Sequence, residues 1–119
     1  MPSKIFSILA RKPLQDYPRV PISPIVGSTD RVTYNFWINN HSIALDTIVL
    51  NKDGTNPLSI RLNGETQTLT LPAGGVYSFK NVLIEQIELI PHEVTGGFEV
   101  HPFLLAQELV DELLRKVKI

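Results

Sequence analysis

The chain has no cysteine, which excludes a disulfide framework and a thiolate metal site. An excess of basic residues is also missing. Lys+Arg number 11 against 12 Asp+Glu, a net charge of -1, so the basic excess or stripe that marks most nucleic-acid binders is not there. Long apolar runs are lacking too. The opening "MPSKIFSILARKP" has only a few apolar residues before Arg11 and Lys12. That is short for a signal-peptide core and far short of a membrane span. These absences predict a protein made in the cytosol that binds neither nucleic acid nor membrane.

What is present is one domain's worth of chain. At 119 residues, such a chain buries roughly two-thirds of the surface its unfolded form exposes. The apolar fraction of 43% is ordinary for a globular protein and argues against disorder. No internal repeat and no low-complexity tract occurs.

Residues 1–30 differ from the rest. Pro13, Pro18, Pro21 and Pro24 each remove a backbone donor, fix φ and bias the preceding residue toward extended geometry. Leu14, Tyr17, Val20, Ile22, Ile25 and Val26 are interleaved with them. An extended arm with apolar side chains needs a surface to lie on, either its own domain or a neighbouring subunit. Leu14, Tyr17, Val20, Ile22 and Ile25 are the arm's candidate partner-interface residues.

From Arg31 the apolar period becomes two. "RVTYNFWINN" places Val32, Tyr34, Phe36 and Ile38 on one face, with Thr33, Asn35 and Trp37 on the other. "NNHS" reads as a turn and "IALDTIVL" as a strand. "NKDGTN" is a turn signal. "PLSIRLNG" alternates Leu58, Ile60 and Leu62 against Ser59 and Arg61, and its "NG" predicts a tight hairpin into "ETQTLTL". "PAGG" is the next turn, with Pro72 suited to its first central position. "VYSFKNV" sets Tyr77 and Phe79 on one face. In "LIEQIELI" Glu85 marks a candidate bulge, and "TGG" turns the chain into "FEV". Strands recurring every ten to twelve residues between turn signals predict an antiparallel β-sandwich or barrel, jelly-roll-like, over residues 31–101. Its expected core is Val32, Tyr34, Phe36, Leu58, Ile60, Leu62, Leu69, Leu71, Tyr77 and Phe79.

The final segment, residues 102–119, reads as one amphipathic helix. Pro102 suits a first turn. Ala106, Val110, Leu113 and Val117 follow a 4-3-4 spacing, and Leu105, Leu109 and Leu114 widen the stripe. A stripe wider than a coiled-coil seam predicts that one flank packs on the sandwich and the other meets symmetry mates. Leu109, Val110, Leu113 and Val117 are the candidate interface residues there.

Chemistry is sparse. The histidines His41, His92 and His101 lack the short spacings of local metal-ligand pairs, although Glu99 and His101 share a strand face. "NKDGTN" fails as a calcium loop, because the twelfth residue from Asn51 is Leu62 rather than glutamate. No G-x-S-x-G elbow occurs, and the glycines at 74, 75, 96 and 97 do not lead into a helix as a phosphate loop would. Asp46 and Glu85 form either a carboxylate pair for glycoside hydrolysis or, more simply, two solvent-facing acids. Asn40-His41-Ser42 is a formal glycosylation triplet without a signal peptide to give it meaning. No enzymatic activity, metal or other cofactor is expected. Trp37 either stacks on a sugar, with Asn39, Asn40 and His41 supplying hydrogen bonds, or fills space under the arm or the helix. The first option would make the chain a carbohydrate-binding or adhesion module.

"TNPLSIRLNGETQTLTLPAGGVYSFKNVLIEQIELI" resembles a pattern of small structural proteins of tailed bacteriophages. In these a strand of the form "NPLxVxLNG" precedes "LPAGG", an aromatic strand and an isoleucine-rich strand. The likeness covers roughly residues 43–90. It implies a virion structural role, as a capsid decoration (cement) protein or a small head or tail component. It also implies the major capsid protein or another virion protein as partner, and the virion as location. For a protein of that kind the arm and helix predict a closed homo-oligomer, a trimer.

Overall fold

The computed structural model describes residues 19–27, 30–80, 82–91 and 97–117. Their strands are β1 (Arg19–Pro21), β2 (Ile25–Gly27), β3 (Val32–Asn35), β4 (Ala44–Asn51), β5 (Leu58–Leu62), β6 (Leu69–Leu71), β7 (Val76–Phe79), β8 (Gln86–Pro91) and β9 (Phe98–Leu105). Two helices accompany them, α1 (Phe36–Asn40) and α2 (Gln107–Val117).

All pairing is antiparallel and falls into two sheets. The front sheet runs β1–β9–β4–β7, with β2 also on β9, and the back sheet runs β3–β8–β5–β6. If β1 and β2 count as one broken strand, eight strands cross between two sheets in jelly-roll order. The expected antiparallel sandwich is what the chain forms.

The core lies between the sheets. Val49, Phe79, Phe98, Val100 and Leu104 enter it from the front sheet, and Leu58, Ile60, Leu71, Ile87 and Leu89 from the back. Each such side chain stabilises the fold by about 1.5–3 kcal/mol. Of the core residues expected from sequence, Phe36, Leu58, Ile60, Leu71 and Phe79 are buried, while Val32, Tyr34 and Leu62 are partly buried against them. Leu69 and Tyr77 are corrections. They point inward but sit on the outermost strands, with no further described strand beside them, and stay 37% and 42% exposed.

Three elements differ from the sequence reading. First, the strand expected through "FWINN" stops at Asn35, whose side chain accepts a hydrogen bond from the Ile38 N–H at 2.8 Å. Asn35 thus acts as an N-cap, and His41, at φ 52°, closes the short helix α1 in the left-handed region. Ile38 is consequently 78% exposed rather than inward. Second, "NG" does not make a two-residue hairpin, because β5 and β6 pair as Ile60↔Leu69. The Asn63 side chain instead donates to the Leu83 carbonyl and accepts from the Glu85 and Gln86 N–H groups, tying β5 to the chain entering β8. Pro72 likewise takes the first position of its turn, its carbonyl accepting from Gly75 N–H.

Third, residues 102–105 are strand, and the helix begins at Gln107 rather than Pro102. The alternation Phe98, Val100, Pro102, Leu104 belongs to β9, which lies between β4 and the arm strands. A proline in an inner strand normally removes a ladder bond. Here the Pro102 carbonyl accepts from Ile22 N–H at 3.4 Å, so its nitrogen faces the same side, the break between β1 and β2. There the arm's register on β9 slips by one residue. The missing donor and the interrupted arm coincide.

Candidate interaction surface

Alternation along the strands gives each sheet an inner and an outer face. The back sheet's outer face is polar: Thr33 from β3, Gln86, Glu88 and Ile90 from β8, Ser59 and Arg61 from β5, and Thr70 from β6. At its centre Glu88 accepts from Arg31 Nε at 2.6 Å and from Thr33 Oγ1 at 3.4 Å, and pairs with Arg61 at 3.1 Å. The Arg31 hydrogen bond, aided by the charges of Arg31 and Arg61, holds the Glu88 carboxyl below its ordinary range. The Glu88 carboxylate is thus satisfied within the chain, although the buried Arg61 Nε has no hydrogen-bond partner among the described residues.

The front sheet's outer face is built differently. β4 contributes Ile48 and Leu50, β9 contributes Phe103, β7 contributes Val76 and β2 contributes Val26. The register sets Val26, Glu99, Leu50 and Val76 side by side in one row and His101, Ile48 and Ser78 in the next. Val26 is 72% and Val76 62% exposed. Charged groups pair with one another among these apolar residues, Glu99 standing between Val26 and Leu50. Lys52 Nζ lies 2.5 Å and His101 Nε2 3.3 Å from the Glu99 carboxylate, and Arg19 meets Asp46 at 3.0 Å. The Lys52 hydrogen bond lowers the Glu99 carboxyl.

The described residues cover one end of this outer face. A bulge at Leu45, between Ala44 and Asp46, turns Leu45 away from the main core. It joins Ile43, Leu83, Leu105 and Val110 in a second cluster, with Trp37, Leu109 and Leu114 against it. This cluster seats α2.

The interface residues expected from sequence are dispersed. Leu14 and Tyr17 lie outside the described residues, as does His92. Val20 is exposed on β1, whereas Ile22 and Ile25 pack on the main core. The described part of the arm thus lies on its own domain. Val110 is fully buried in the second cluster, which corrects its reading as an interface residue, and Leu109 is half-buried there. Leu113 and Val117 belong to α2, and their side chains lie outside what is described. Trp37 is half-buried, packed on the second cluster and stacked on His41 with ring centroids 4.3 Å apart. It fills space beneath α2, and His41 occupies a face that a sugar would need. Asp46 and Glu85 do not form an exposed pair. Asp46 is on the outer front face, and Glu85 is buried at the bend where the chain leaves Ile84, bridged to Ala44, for the back sheet. Among the described residues no group of three or more His, Cys, Asp or Glu is placed to hold a metal. No described helix is long and apolar enough to cross a membrane.

Ile48, Leu50, Val76 and Phe103 carry the front face, and sequence reasoning did not single them out. The signal was there in "IALDTIVL", where Ile48 and Leu50 alternate with Val49. A strand apolar on both faces has a second surface to cover.

No family model matches the chain, and no curated protein matches it. Among solved structures it is similar to the Drosophila NLP core, described in terms of pentamer formation and histone binding. The TM-score is 0.49 at 10% identity, covering 75% of this chain and 98% of that one. A likeness of this degree carries no inference about binding. The resemblance to tailed-phage virion proteins is corrected by these comparisons: no family model or curated phage protein matches, and the structural likeness found is to the Drosophila NLP core. The "NPLSIRLNG" and "LPAGG" segments are strands and turns that any jelly roll requires.

Proposed function

We infer that this chain is a non-enzymatic protein-binding module that works through the outer face of its front sheet. The observation that carries the reading is the contrast between the two outer faces. One carries an internal Arg–Glu–Arg network, and on the other, among the described residues, Val26 and Val76 are exposed with Ile48, Leu50 and Phe103 half-buried beside them. Ile48, Leu50 and Val76 are contiguous there, and exposed contiguous apolar surface marks an interaction site. The ion pairs Lys52–Glu99–His101 and Arg19–Asp46, which stand among the apolar residues, supply orientation rather than affinity. The partner this surface fits is another protein with an apolar patch of its own, because the face offers no basic stripe for a phosphate backbone.

The test is comparative capture. Wild-type chain and an Ile48→Lys/Leu50→Lys double variant are used as bait in the same extract. Both substituted side chains are half-exposed, so the variant is expected to keep the wild-type circular dichroism spectrum. Partners recovered by the wild type and lost from the variant support the front face. An identical set of captured proteins places binding elsewhere.

A further inference from the structure

We propose that β7 is a pairing edge, and that its occupant is β7 of a second copy of this chain, antiparallel about a two-fold axis through Tyr77. Hydrogen-bond phase along β7 sets which backbone groups face outward. Asn51 N–H donates to the Gly75 carbonyl at 2.9 Å, which makes Asn51/Gly75 a hydrogen-bonded pair of the β4–β7 ladder. Antiparallel pairs alternate. Val49/Tyr77 and Thr47/Phe79 therefore exchange bonds, while Leu50/Val76 and Ile48/Ser78 do not. Val76 and Ser78 direct their N–H and C=O groups away from β4, and no described strand lies on that side.

The two edges of the front sheet are treated oppositely. The arm edge carries Pro21 and Pro24 and is broken by a register slip, devices that blunt an edge against further pairing. Residues 76–79, "VYSF", contain no proline and no charge. Beside them the back sheet also ends in an apolar strand, with Leu69 37% exposed.

Self-pairing fits this edge in detail. Centred on Tyr77, it sets Val76 opposite Ser78 of the other copy. These two residues are the ones with outward-facing backbone groups, so all four groups on each edge are used reciprocally, as an isologous contact requires. Like charges directly opposite one another destabilise a strand pair. In this register Lys80 falls opposite Gly74 of the other copy, and no like-charge pair arises between residues 74 and 80. The two front sheets become one, and the Leu50–Val76 and Ile48–Ser78 rows run on into their counterparts. An edge pairs whatever the face beside it binds, so the dimer does not depend on the front-face reading.

The absence of cysteine from the chain gives a direct test. In the proposed register, Tyr77 faces its own copy in a non-hydrogen-bonded pair, with Cα atoms about 4.5 Å apart, within disulfide range. Two Ser78 residues are offset along the strands and lie beyond about 7 Å, out of range. Full-length Tyr77→Cys, mildly oxidised, should yield a disulfide dimer at least tenfold faster than Ser78→Cys. Ser78→Pro removes an outward donor without touching the β4 ladder and should convert the dimer to monomer, with Ser78→Lys as the substitute if the proline variant does not fold. Wild-type chain that sediments at 13.3 kDa at high concentration overturns the proposal. So does cross-linking at 78 that equals or exceeds that at 77.

Discussion

The two outer faces of the sandwich solve the same problem in opposite ways. On the back, Glu88 gathers Arg31, Arg61 and Thr33, so the charges are consumed inside the chain. On the front, Lys52–Glu99–His101 and Arg19–Asp46 pair among apolar side chains, with Glu99 between Val26 and Leu50, while Ile48, Leu50 and Val76 lie together. A face closed by its own hydrogen bonds has nothing left to offer a partner. A face whose middle is Ile48, Leu50 and Val76 keeps apolar area in contact with water, a cost that association removes. On the proposed function the sandwich is two-sided, with a back that serves the fold and a front that serves binding.

The largest expected effect comes from breaking the back. Glu88→Ala leaves two guanidinium groups and a hydroxyl without their acceptor. The net loss should be about 1–2 kcal/mol, because Arg31 is exposed and water takes up part of the difference. Denaturant unfolding measures it. The matched change on the front, Leu50→Ser, removes a half-exposed side chain and should cost under about 1 kcal/mol. If Leu50→Ser proves the costlier of the two, the front face belongs to the fold and the comparison inverts.

Acid titration sharpens the same contrast. The Glu88 carboxyl is depressed in the folded chain, by the Arg31 hydrogen bond first. Asp53, which accepts from the Asn56 and Thr55 N–H groups, and Glu99, held by Lys52, are depressed as well. A group whose folded pKa lies below its unfolded one contributes stability that is full above the unfolded value, about 4.3 for glutamate. That stability is lost as pH falls through the folded value. Unfolding midpoints should therefore hold steady down to about pH 5 and decline below it. Glu88→Gln should lower the midpoint at neutral pH and flatten the acid decline. An unchanged slope in that variant would assign the acid sensitivity to Asp53 and Glu99 instead.

Much of this architecture was legible in the residues. Alternation and turn signals located β4, β5, β6, β7 and β8, and with them the jelly-roll sandwich. The failures have local causes. "FWINN" alternates like a strand, but the Asn35 side chain caps a helix, and a cap is a geometric choice that periodicity does not register. "HPFLLAQELV" fits a helical stripe and a strand alternation equally well from Pro102 to Leu105. Position between β4 and the arm decided for the strand, and that is a tertiary fact. The proposed binding surface was the least legible part. Proline and amphipathicity drew attention to the arm and the last helix, whereas the open apolar surface emerges only when strands distant in sequence, β2, β4, β7 and β9, are laid side by side.

The smallest expected effect is also the most discriminating about the front rim. Glu99 accepts from Lys52 and lies beside His101, but the Lys52 side chain is 52% exposed and that of His101 38%. Exposed ion pairs gain little, because water competes for both partners and salt screens what remains. Glu99→Gln keeps the shape and can still accept from Lys52. Its melting temperature should stay within about 2 °C of wild type, and the difference should vanish in high salt. Partner capture by this variant should persist with altered salt dependence, since rim charges steer encounter more than they hold a complex together. A salt-resistant drop in melting temperature as large as that of Glu88→Gln would make Glu99 a structural centre like Glu88. The two faces would then differ in apolar content alone, not in how they use their charges.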